Sequence, residues 1–83
     1  MLKINRNTPD EARHMNNLVL ALVLTAKLDK IYSHAVSISL ETNFGIVADW
    51  HDVATSLDEL ATKEKLIRAS INANGNVVYE VTK

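Results

Sequence analysis

Between Met15 and Ile31 the chain carries more apolar side chains than one face of a helix can hold. No Gly or Pro interrupts Ala12 to Tyr32, and Leu18 to Leu24 is unbroken Leu, Val and Ala. A buried strand could hold that run, but its length and its Leu and Ala content favour a helix. The start of this helix is written in Thr8-Pro9-Asp10-Glu11, a capping box with proline at the first helical position. Asp10 and Glu11 also sit where the helix dipole favours negative charge. The sequence predicts a helix from Pro9 to about Ile31. Wound at about 100° per residue, its apolar residues form two clusters. Met15, Leu18, Val19, Leu22 and Ala26 lie on one side, and Leu20, Leu24, Leu28 and Ile31 lie nearly opposite, with Ala21 and Val23 between.

A helix apolar all round is normally buried all round. At ~1.5 Å per residue this one would be about 34 Å long, whereas a domain of this size has a radius of gyration of about 12 Å. One sheet would cover one side only. The other stripe would leave leucine-sized side chains in water, each worth about 1.5–3 kcal/mol if buried. Leu20, Leu24, Leu28 and Ile31 are therefore the expected self-association surface, and a two-fold homodimer is its simplest closed form. The alternative is a private core, in which a short second helix and the Trp50–Thr55 segment fold back over the second stripe.

The remainder reads as two hairpins flanking that short helix. Ala35-Val36-Ser37-Ile38-Ser39-Leu40 alternates apolar and polar, the period of a half-buried strand. Glu41–Gly45 reads as a turn and Ile46–Trp50 as the returning strand. Ser56-Leu57-Asp58-Glu59 is a second capping box, opening a helix that either stops near Glu64 or runs to Asn72. Cross-strand pairing favours the shorter helix. A loop of Ala73-Asn74-Gly75 with Gly75 left-handed pairs Ile71 with Val77, Ser70 with Val78, Ala69 with Tyr79, Arg68 with Glu80 and Ile67 with Val81. That register places Ile67, Ala69, Ile71, Val77, Tyr79 and Val81 on one apolar face, and a one-residue slip destroys the separation. Residues 1–5 could add an edge strand. The expected fold is α+β: a long N-terminal helix packed on a mostly antiparallel sheet of two β-hairpins, with a short helix between them. The rival is a ferredoxin-like βαββαβ chain.

With 83 residues the chain is expected to be a single α+β domain spanning 1–83. Its 47% hydrophobic and 23% charged residues fit an ordinary globular protein, and nine basic against ten acidic side chains argue against a strongly basic nucleic-acid binder. There is no cysteine, hence no disulfide framework and no thiolate metal site. The apolar run is too short for a membrane span of roughly 20 residues, and no signal-peptide core follows the first charges. A cytoplasmic location is expected.

Asp49-Trp50-His51-Asp52 is the densest group of functional side chains, and an imidazole beside two carboxylates could hold a divalent metal or exchange a proton. On a strand, however, neighbours point to opposite faces, so the expectation is a solvated strand end with no catalytic, cofactor or metal role. His14 and His34 lack the spacing of a helical zinc pair, and no GxSxG, P-loop or GxGxxG pattern occurs. The chain is not expected to be an enzyme. Trp50, the sole tryptophan, is a core-edge anchor or a partner contact.

In element order, a terminal hairpin after a short helix resembles the wing of a winged-helix DNA-binding domain. Lys63, Lys65 and Arg68 would be its basic residues. Asp58, Glu59 and Glu64 stand against that reading, since phosphates repel them, and no two-helix turn is evident ahead of the hairpin. The expected function is a small non-catalytic regulator or inhibitor that binds another protein, homodimeric through its long helix and of the kind mobile elements often encode. The alternative is a small nucleic-acid-binding regulator using the C-terminal hairpin as a wing.

Overall fold

The computed structural model describes residues 2–26, 31–64 and 67–81. Its elements run β1 (Leu2–Ile4), α1 (Pro9–Ala26), α2 (Ser33–Phe44), β2 (Ile46–Ala48), α3 (Trp50–Thr62), β3 (Ile67–Ile71) and β4 (Val77–Val81). The class is α+β, as the sequence indicates. The arrangement is neither of the two expected. Three helices pack on one another, with a two-stranded parallel ribbon, β1–β2, and a separate antiparallel hairpin, β3–β4. Among the described residues no long helix lies across a four-stranded sheet, and the order is not βαββαβ.

The start of α1 is as expected. The Glu11 N–H donates to Thr8 Oγ1 at 3.2 Å, and the Ala12 N–H donates to the Thr8 carbonyl at 2.9 Å. The helix is described from Pro9 to Ala26; residues 27–30 lie outside the described residues. Ile31 is not helical. Its N–H and carbonyl exchange hydrogen bonds with Tyr79 at 2.9 and 2.8 Å, so it forms an antiparallel bridge on the outer edge of β4.

Residues 35–40 were expected as a strand and are helical. The alternating pattern also contains Val36 and Leu40 at i, i+4, and these two are the buried side chains of α2. Ser37 Oγ donates to the Ala48 carbonyl at 2.8 Å, while Ile38 stays 55% exposed. Tertiary burial of that one pair outweighs the period of two. The expected turn at 41–45 is therefore the last turn of α2, closed by Gly45 at φ 65°, whose N–H donates to the Glu41 carbonyl at 3.0 Å. β2 does form, but it pairs in parallel with β1, Leu2 with Ile46 through Ile4 with Ala48. The tentative N-terminal strand is thus real, and the expected first hairpin is not.

Helix α3 begins six residues before the expected cap. Asp49 is the N-cap, its Oδ1 accepting the His51 N–H at 2.8 Å, and Ser56 is instead fully buried mid-helix. Val53, Leu57 and Leu60 share that buried side. The helix ends at Thr62, and the hairpin follows in the deduced register, Ile67 with Val81 to Ile71 with Val77. Gly75 adopts φ 83°, and Asn72 Oδ1 accepts the N–H groups of Asn74 and Asn76 at 2.9 and 3.0 Å. The apolar face of the hairpin is only partly covered. Ile67 and Tyr79 are buried, whereas Ala69, Val77 and Ile71 are exposed, and Val78 is buried from the other side.

The core gathers Met15, Val19, Leu22 and Val23 of α1 with Ile31, Val36, Leu40, Ala48, Val53, Leu57, Leu60, Ile67 and Tyr79. Because α2 and α3 cover α1, the proposed association stripe is not a continuous surface. Ile31 is fully buried, Leu20 packs partly buried against the core, and Leu24 is 52% exposed. Leu28 lies outside the described residues. The physical reason is that Ile31 lies off the helix, bonded to Tyr79 at the edge of the hairpin.

Candidate functional site: a groove between two helices and the hairpin

Chemistry-bearing side chains gather along one flank of the buried face of α3. Trp50, Ala54 and Asp58 recur every four residues and so stack along one stripe of the helix. Facing them are Tyr32, Ser33, His34, Ala35 and Ile38 from the start of α2, and Gly75, Asn76, Val77 and Tyr79 from the hairpin. The groove they enclose has a volume of about 760 Å³. Three large apolar side chains from three different elements are left open there: Ile38 at 55%, Trp50 at 47% and Val77 at 44% exposure.

The indole of Trp50 has two imidazoles for neighbours. The His34 ring lies 6.4 Å away and nearly parallel, at 23°, and the His51 ring is tilted at 3.7 Å. At the floor, the Tyr79 hydroxyl donates to Asp58 Oδ1 at 2.5 Å. Burial, then the hydrogen bond to Asp58 and its negative charge, push the Tyr79 phenol well above its usual value. The phenol therefore remains a neutral donor at physiological pH, and Asp58 is the one formally charged side chain among the described lining residues. Asn72 Nδ2 donates to the Tyr32 hydroxyl at 3.4 Å and links the hairpin loop to the mouth of α2.

Trp50 is thus at the site, as one of its expected roles requires. The Asp49–Asp52 group is a helix start, where Asp49 is occupied as the cap and its Oδ1 lies 3.5 Å from His51 Nδ1 in open solvent. Among the described residues, no three His, Asp or Glu side chains stand together as a metal set. The basic residues of the wing reading are dispersed: Lys63 Nζ is 3.5 Å from Glu59 Oε2 and Arg68 Nη2 is 2.8 Å from Glu80 Oε2. Lys65 lies outside the described residues.

Sequence reasoning missed Tyr32, His34, Ile38, Asp58 and Tyr79 as companions of Trp50. The signal was present in the spacing of Trp50, Ala54 and Asp58, but it is visible only once Asp49 is recognised as the cap. It also missed Arg6. The Arg6 guanidinium donates to Asn16 Oδ1 and Ser56 Oγ, each at 2.6 Å, and pairs with Glu59, tying the loop before α1 to α3.

Comparison with protein-family models, curated proteins and solved structures finds no match to this chain. The β3–β4 hairpin does follow a helix, α3, which is the element order the wing reading starts from. The chain departs from that plan in its β1–β2 ribbon, which places β2 between the two helices, and in the acidic residues Asp49, Asp52 and Asp58 on the helix that would read DNA.

Proposed function

We propose that this chain is a small protein-binding regulator, and that the groove between α2, α3 and the hairpin receives apolar side chains of its partner. The observation that carries the reading is the convergence of Ile38, Trp50 and Val77, each about half exposed, around one concave site. Contiguous exposed apolar patches rimmed by polar residues mark interaction sites, and tryptophan is among the residues enriched where binding energy concentrates.

The test is selection of peptides from a displayed library on the purified protein, followed by affinity measurement with variants. Trp50→Ala should weaken the selected peptides by about thirtyfold or more, equivalent to about 2 kcal/mol, and Ile38→Asp should do the same. Unchanged binding by both variants contradicts the groove as the site.

Nucleic-acid binding is a second reading, favoured by the winged-helix-like element order. It predicts duplex DNA binding that falls steeply between low and physiological salt. The acidic stripe of α3 and the pairing of Lys63 and Arg68 with carboxylates weigh against it. No binding at low salt removes it.

A further inference from the structure

We infer that the partner segment received by the groove brings two side chains of different chemistry, an apolar one against Trp50 and Ile38 and an arginine or lysine that pairs with Asp58. The inference rests on the groove reading and deepens it by naming the chemistry of the partner. Asp58 is the one formally charged side chain among the described lining residues, and none of them is lysine or arginine. Trp50 and, in part, Tyr32 remain accessible in the same groove. The face of an aromatic ring attracts a cation, as a carboxylate does. A groove of that make-up receives a cationic group and turns away phosphates and acidic segments.

Asp58 differs from three other carboxylates of the chain. Asp10, Glu59 and Glu80 each have an arginine within ion-pair distance, Arg13, Arg6 and Arg68 in turn. Among the described residues no lysine or arginine stands so placed at Asp58, although its residue is exposed. Its carboxylate is held from within, by the hydroxyl of the buried Tyr79 donating to Oδ1 at 2.5 Å. That bond fixes the group on one side and leaves Oδ2, with the second lone pair of Oδ1, to accept two parallel N–H groups. Arginine presents them in a rigid fork, and lysine brings a point charge.

The helix sets the spacing of the two partner side chains. Trp50 and Asp58 are two turns apart on α3, about 12 Å along its axis at ~1.5 Å per residue. An extended chain covers that distance in about four residues at ~3.3 Å each, and an even step keeps both side chains on one face. The segment therefore carries its basic residue about four positions from its apolar anchor when it binds extended.

Peptides selected from a displayed random library on the full chain test this. Arginine and lysine should be enriched over the unselected library at a fixed distance from a large apolar residue. A selected peptide resynthesised with citrulline for its arginine, or acetyl-lysine for its lysine, loses the charge; it should bind about five- to tenfold more weakly. Asp58→Asn should erase that difference, because its side-chain oxygen still accepts the Tyr79 hydroxyl while the charge is gone. The peptide comparison needs no protein variant, so it decides the matter even where Asp58→Asn fails to fold. Trp50-dependent peptides without basic enrichment, with equal affinity in charged and neutral forms, or with a difference that persists in Asp58→Asn overturn this inference and leave the groove reading standing. Peptides that bind independently of both Trp50 and Ile38 overturn the groove reading and this inference with it.

Discussion

The two sides of α3 solve opposite problems. On one side Ser56 is fully buried and Glu59 largely so, and both are engaged by Arg6, whose side chain is only 12% exposed. Polar groups there are matched partner for partner, and the cluster clamps the segment before α1 against the helix. On the other side Trp50, Ala54 and Asp58 look into a groove where apolar surface stays in water. Burial with complete pairing marks structural work, and exposure of apolar surface in a concave site marks a place for something else. One 13-residue helix thus carries a closed, fully paired polar side and an open apolar one.

Substitutions should reveal that division. The largest effect is expected on the closed side: Arg6→Ala leaves the buried Ser56 hydroxyl without its donor and Glu59 with only the exposed Lys63, and should cost about 3 kcal/mol in chemical denaturation. Next, Gly75→Val at the flank of the groove should cost about 1–2 kcal/mol. No atom lies within 4 Å of a Cβ built there, so the cost comes from the left-handed backbone at φ 83°. Gly75→Asn should therefore be tolerated much better.

Tyr79→Phe removes the donor to Asp58 and should cost about 1 kcal/mol. It should also change the alkaline limb of the stability curve. A phenol raised in the folded state binds its proton more tightly there than in the unfolded chain, so its contribution is complete below pH 10 and is lost as pH rises above it. The Phe variant should lose stability less steeply in that range. Smallest in stability is Trp50→Ala, within about 1 kcal/mol because the ring is half exposed. The same substitution should have the largest effect on partner binding, and that reversal is the sharpest sign of two different faces.

What was legible in the sequence was what local chemistry dictates. Thr8 and Glu11 mark the start of α1, and the hairpin register is forced by a glycine, two flanking asparagines and alternation that survives only one pairing. The segment 33–44 was misread because Val36 and Leu40 satisfy both a period of two and a helical i, i+4 step, and only the surrounding core chooses between them. Ser56 carried a cap signature that Asp49 pre-empted seven residues upstream. Of the groove, Trp50 alone was identified. Its companions arrive from residues 18 before and 29 after it in sequence, Tyr32 and Tyr79, and no spacing rule connects them.

Trp50 is the only tryptophan, so its emission reports on the groove without labelling. The most direct measurement is its fluorescence, with and without a saturating selected peptide, together with its quenching by iodide. Occupation of the groove predicts a blue shift and clear protection from the quencher. A peptide that binds with full affinity yet leaves the emission maximum and the quenching of Trp50 unchanged contradicts the assignment of this face of α3 to recognition.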